Sequence, residues 1–289
     1  MIVKLDLGDR KMFFNEIKMN PAMYQVIKVL KNSIPLVFRN LCVLIALFAS
    51  INHTTAQSAD STKKWNFLAD VYLMFPYMDG ETGIGENLIL PVDATSGDIF
   101  SNLKLGAMVY LEAKTDKWAI TSDIVYMNLS QEITPTVLLN SGEVAFKQFI
   151  WEAAGLYRIT DFWDAGIGGR LNYLEAEVDA RINQIPGGTE GVFGRKHKTW
   201  WDPLIITRLS TDVNEKWLLQ FRGDVGGFGV GSDLTWQLQG YVGYRFTELF
   251  QLTGGYRVLY NDYTNGTAPK EFVFNMYEHG PVIRFGFNF

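Results

Sequence analysis

At 289 residues the chain has room for one large domain or two ordinary ones, so length excludes little. Composition excludes more: 14% aromatic residues and 27 glycines against only 20% charged residues suit closely packed strands better than helices. The formal net charge of −5 argues against a nucleic-acid partner, which is bound through basic surface.

Residues 1–22 fit no familiar pattern, and Met1, Met19 or Met23 is the start. Lys28, Lys31 and Arg39 then precede a short apolar stretch from Leu41 to Phe48, followed by Ala49-Ser50 and Thr54-Thr55-Ala56-Gln57. A positive flank, a short apolar core and small residues before a cut describe a secretory signal peptide, cleaved after Ala56. The chain divides accordingly into 1–56, extension and signal, and 57–289, the mature domain. Cys42, the single cysteine, leaves with the signal. Arg39-Asn40-Leu41 before it lacks the small residue that a lipoprotein signal needs. Residues 1–56 hold seven Lys/Arg and three Asp/Glu, so the mature chain carries a net charge of −9.

From Lys64 the chain alternates apolar and polar with period two. Ten stretches follow, near 65–75, 102–112, 118–129, 148–158, 164–173, 201–210, 217–225, 236–246, 250–261 and 278–289. Each matches the roughly 9–11 residues a tilted strand needs to cross a bilayer. The connections alternate in length. Short ones fall at Lys114–Lys117, Thr160–Phe162, Ser210–Lys216 and Thr247–Glu248; long ones fall at 79–99, 130–145, 175–199, 227–234 and 262–272. Trp65, Trp118, Trp163, Trp217 and Phe246 ring the short-turn end, where an interfacial girdle belongs. The reading is an all-β, transmembrane, antiparallel up-and-down barrel of ten strands, eight or twelve being the alternatives, preceded by a signal peptide. A secreted β-sandwich would also alternate, but it has no reason to ring one end with tryptophan.

Ile283-x-Phe285-x-Phe287-x-Phe289 resembles the C-terminal signal by which the barrel-assembly machinery recognises outer-membrane proteins. Trp201-Asp202-Pro203, Gly223-Asp224-Val225-Gly226-Gly227-Phe228-Gly229, Gly243-Tyr244-Arg245 and Gly255-Tyr256-Arg257 look like stretches of a broad, largely uncharacterised group of small outer-membrane barrels. The resemblance covers about 64–289. It implies residence in the outer membrane of a Gram-negative bacterium, with outer-membrane lipid and lipopolysaccharide as surroundings and the assembly machinery as a partner during biogenesis. It implies no activity.

If the apolar faces meet lipid, the alternate faces line the lumen. They carry Lys104, Arg158, Arg170, Arg208, Arg222, Arg245, Arg257 and Arg284, and Asp70, Glu112, Asp123, Glu152, Asp164, Asp202, Asp224 and Glu278. Eight of each sign imply a paired interior, and a barrel of this size has a lumen that side chains can fill. The expectation is a non-enzymatic barrel with a structural or surface-interaction role. A narrow porin-like channel is the alternative, and a surface hydrolase acting on lipid A or peptides the third. For the last, His53 leaves with the signal, and only His197 and His279 remain. The chain is similar to the omptin proteases in strand count only, for no Asp-x-Asp pair stands at a strand top. The loop acids Asp79, Glu81, Glu86, Asp93 and Asp98 lack the spacing of a calcium loop. No cofactor or metal is expected.

Overall fold

The computed structural model describes residues 65–84, 89–133, 135, 139–183, 187–267 and 271–289. The expected signal segment and its expected cut after Ala56, with Cys42 and Glu86, lie outside them. No helix among the described residues is long and apolar enough to cross a membrane.

The strands are β1 (Asn66–Met74), β2 (Tyr77–Ile84), β3 (Ile89–Ala94), β4 (Leu103–Lys114), β5 (Trp118–Glu132) and β6 (Leu139–Arg158), then β7 (Trp163–Asn183), β8 (Thr189–Asp212), β9 (Trp217–Gly227), β10 (Leu234–Arg245), β11 (Phe250–Asn265) and β12 (Phe272–Asn288). A helix, α1 (Ser96–Ser101), joins β3 to β4. Ten of the strands close on themselves. β4 to β12 follow in chain order, and β1 pairs with β4 on one side and β12 on the other, antiparallel throughout. Closure runs to the last residue. The Phe289 N–H donates to the Phe67 carbonyl at 2.8 Å, and the Phe67 N–H donates back at 3.1 Å.

Period-two alternation turns this sheet inside out. Along β7, Asp164, Arg170 and Asn172 are buried, while Ile167 between them is 73% exposed. Ile120, Ile205, Phe221 and Val242 are also exposed on other strands. An apolar outside around a polar inside is stable only against lipid, so this is a transmembrane barrel. Each short turn is shut by the aromatic that begins the next strand: the carbonyls of Trp118, Trp163, Trp217 and Phe250 accept from Thr115, Ile159, Val213 and Phe246 at 2.7 to 3.0 Å. Those rings continue into a girdle through Trp217, Tyr244, Phe246, Phe250 and Phe287. A second girdle marks the other interface, with Trp236, Tyr260 and Tyr277 in contact on one side and Trp151 against Trp201 on another.

The loop end departs from the sequence reading. The stretch 79–99, expected as a loop, holds the β2–β3 hairpin and α1. Pro76 interrupts the strand because it has no N–H to donate. Beyond it β2 continues up β12, from Tyr77 opposite His279 to Ile84 opposite Phe272, and β3 folds back on β2. Asp79, Gly80 and Glu81 show no apolar face because this hairpin rises past the outer girdle, where none is needed. Asp98 is a capping-box residue, exchanging hydrogen bonds with Thr95. The expected loops 130–145 and 175–199 are likewise mostly strand. β6, β7 and β8 run for 20, 21 and 24 residues, about twice what crossing requires.

The lipid-facing assignment makes a test that a soluble fold would fail. Ile167→Lys places a charge near mid-bilayer and should cost about 2–4 kcal/mol in unfolding from lipid vesicles, with Ile167→Leu nearly neutral. An Ile167→Lys barrel as stable as the parent would contradict the assignment.

Candidate functional site

The inward faces meet in a packed lumen. At the short-turn end Arg208 bridges two strands, bonding Glu112 of β4 and donating from Nε and Nη2 to Asp164 of β7 at 2.9 and 2.7 Å. Tyr110 donates to the same Glu112 at 2.6 Å. Arg158 reaches Asp164 only at 3.4 Å, and its side chain is a third exposed.

Further in, Glu152 accepts from Arg222 and from Arg170, whose Nη2 lies 2.7 Å from it and equally 2.7 Å from Asp224. Thr235 and Gln237 complete this knot, bonding Arg170 at 3.0 Å and Asp224 at 3.0 Å. Arg170 and Arg222 are among the largest fully buried side chains in the molecule. Beside them Asp123 takes the Tyr72 hydroxyl at 2.6 Å and Arg257 at 3.2 Å. Arg284 lies against the rings of Tyr72, Tyr110 and Tyr241 at 5.0, 5.1 and 4.2 Å, with Asp70 at 3.6 Å. Such a cage substitutes ring faces for the water that the guanidinium loses.

Two acids are served by neutral donors. Glu278 accepts from Gln148 at 2.5 Å. Asp202 accepts from the Ser232 N–H at 2.6 Å, Asn172 at 2.9 Å, the Ser232 hydroxyl at 3.0 Å and the Trp200 indole at 3.1 Å. This joins the Trp-Asp-Pro and glycine-rich stretches, which face one another through Leu204 opposite Gly226. A Cβ on Gly226 would run into the Pro203 carbonyl, so glycine is what lets β8 and β9 approach. The loop following β9 turns back over Asp202 with Phe228 at a φ of 51°, a left-handed conformation that non-glycine residues rarely hold.

The expected balance of eight charges of each sign changes. Lys104 is not in the lumen: a register shift between Leu103 and Leu105 reverses the alternation. The lysine stands more than half exposed, bonded to Glu143 on the outer wall, and Leu103 packs inward instead. Arg158 and Arg245 sit at the short-turn mouth, where Arg245 pairs with exposed Asp212 at 2.7 Å. Among the sixteen residues, the buried set is therefore eight acids and five arginines.

Toward the loop end the lumen stops being polar, which the sequence reading missed. Met78, Ile99, Met127, Leu174, Trp200, Tyr263, Phe274 and Met276 form one buried cluster. Trp200 stacks on Tyr263 at 4.0 Å and 8°, directly across from β8 to β11. Inward parity of Met127, Leu174 and Met276 on the extended strands is the signal that would have revealed it. Glu175 was also missed. On the outer wall it accepts from Arg195 at 2.6 Å, Lys147 at 2.8 Å and Tyr173 at 2.5 Å, and the Arg195 guanidinium, with the other two donors, holds its carboxyl down to about 2.

The four residues of the terminal motif, Ile283, Phe285, Phe287 and Phe289, share the outward parity of β12, with Ile283, Phe285 and Phe289 exposed. Both histidines expected as candidates stand among tyrosines. His279 faces outward with Nδ1 2.7 Å from the Tyr256 hydroxyl and its ring stacked on Tyr77, and His197 stacks on Tyr173. Among the described residues no group of three or more His, Cys, Asp or Glu could hold a metal ion.

No protein-family model matches the sequence, and no curated protein matches it. Solved structures share the barrel form. Ail, the attachment invasion locus protein of Yersinia pestis, is 7% identical with a TM-score of 0.34, over 79% of this chain and 100% of that one. The CymD monoaromatic hydrocarbon channel is 8% identical with a TM-score of 0.33, over 78% and 88%. The translocator domain of the autotransporter NalP from Neisseria meningitidis is 11% identical with a TM-score of 0.29, over 90% and 98%. Likenesses this distant assign no function.

Breaking the central knot should be costly. Arg170→Met removes the cation shared by two buried carboxylates, leaving Asp224 with Gln237 and Glu152 with Arg222, and should lose about 3–5 kcal/mol in unfolding from vesicles. Arg245→Met, at the partly exposed mouth, should lose under about 1 kcal/mol. Equal losses would show that the knot is as hydrated as the mouth.

Proposed function

We propose that this protein is an integral outer-membrane barrel that does not conduct, is not an enzyme, and works through its loop-end surface. One observation carries the reading: the lumen is filled twice over. The Glu152–Arg170–Asp224–Arg222 knot occupies its middle, and the Trp200–Tyr263 stack with Ile99 of α1 closes its loop end. Moving either layer means exposing apolar surface or separating buried ions, each of which is expensive. Short turns then face the periplasm and the tall strands face outward, with lipopolysaccharide around the outer girdle and the assembly machinery reading the terminal strand during biogenesis. Both histidines are held among tyrosines on the outer wall, which supports a girdle role and not hydrolysis.

A second reading, a narrow channel, is favoured by the excess of buried acids over arginines. Any current through this lumen should therefore prefer cations. Planar-bilayer recordings decide between the two. The filled lumen predicts no steps, or small and brief cation-selective ones; large stable steps would overturn it.

A further inference from the structure

Within the bilayer every strand is paired on both sides, but β8 is not paired along its whole length. β7 covers one edge from Thr189 to Leu209, while β9 reaches only as high as Leu204 on the other. Residues 189–203 thus have one strand neighbour among the described strands; Gly226 and Gly231 lie against the carbonyls of Pro203 and Trp201, and above them about 40 Å of backbone at a strand's rise faces no second strand. Proteins usually blunt such an edge, because its free N–H and C=O groups template pairing with another chain.

Here the blunting is selective. Arg195-Lys196-His197-Lys198 alternates its cations on the two faces of the strand. Outward, Arg195 is already held by Glu175. Inward, the Cα partners of Lys196 and Lys198 on β7 are Ala176 and Leu174, so β7 offers no carboxylate to either. Lys198 bonds the neutral Asn265 side chain at 2.8 Å and lies over the Phe272 ring. At the foot of the edge the loop after β9 presents Phe228 and Val230, 54% and 71% exposed, on a turn locked by Ser232 to Asp202. Two unbalanced lysines two residues apart repel basic strands and attract acidic ones. The rigid apolar tip adds a landing point for one end.

We propose that the β8 edge binds an extended acidic segment of a partner protein by strand addition, with carboxylates at alternate positions over Lys196 and Lys198 and an apolar residue near Phe228 and Val230. Main-chain bonds supply affinity and the alternate side chains supply choice. A second copy is a poor occupant. Two barrels inserted the same way in one membrane present their β8 strands running in the same direction, lysines against lysines. The proposal deepens the surface-interaction reading and rests on the orientation that puts β8 outside. It is independent of conductance, so a conducting barrel would overturn the filled lumen and leave this edge untouched.

The test uses the full chain in lipid nanodiscs and three fluorescent peptides. One alternates valine and glutamate, one alternates valine and lysine, and one is the glutamate peptide N-methylated at every second residue, which keeps its charge and removes its strand donors. The glutamate peptide should bind at least ten-fold tighter than either of the others. Lys196→Glu with Lys198→Glu should reverse the charge preference while the barrel keeps its heat-modifiable migration; if the pair fails that check, Lys196→Glu alone should abolish the preference. Equal binding of the N-methylated peptide would reduce the effect to electrostatics and overturn strand addition. So would an unchanged preference in the variants, capture of a sulfated polysaccharide without the peptide, or association of two copies in place of peptide binding.

Discussion

A backbone N–H left unpaired in hydrocarbon has no water to turn to, and that constraint organises this molecule. It demands that β1 meet β12, which is why Phe289 bonds Phe67 beside that pairing. It also explains where closure is relaxed. Above the outer girdle β2 follows β12 without pairing to β4, β3 turns back on β2, and β8 rises beyond β9 with only β7 beside it. Edges exist only where water can reach them.

Closure creates a second problem, an interior narrower than the chemistry lining it. The barrel solves it by pairing both between neighbouring strands and across the lumen: Arg170 to adjacent Glu152 and to Asp224, Arg208 to Glu112, Arg284 among three tyrosines. Each carboxylate in the knot is held by more than one donor, so removing any one member weakens the hold on the others without freeing them. The apolar cap above has a different logic. Its residues come from strands too tall for the membrane, and they bury one another as the core of a soluble sheet does. The barrel is inverted in lipid and conventional above it.

Much of the transmembrane part was legible in the sequence because lipid imposes a strict alternation, and strict alternation is easy to read. The ten strands, the short turns and the tryptophan ring at one end follow from it. Above the girdle the rule lapses. Asp79 to Gly83 reads as loop yet forms a strand, and 175–199 hides the upper halves of β7 and β8, because a strand wet on one side needs no apolar face there. Lys104 failed for a local reason: one bulge reverses every side chain beyond it, and no residue near Leu103 announces it. Ser232, which locks the β9–β10 loop onto Asp202, has no sequence signal at all. Its role exists only once two distant strands are side by side.

The account stands on one contrast, closure in the membrane and an open edge above it. Residue-resolved amide exchange by NMR on the protein in nanodiscs measures that contrast directly. Amides of β1 and β12 between Ala69 and Leu73 and between Ile283 and Phe287 should be protected to the same degree as the barrel's centre. Those of β8 between Gly191 and Lys198 should alternate, slow where they face β7 and fast where they face the open edge. Uniform protection along β8, or rapid exchange where β1 meets β12, would contradict the account.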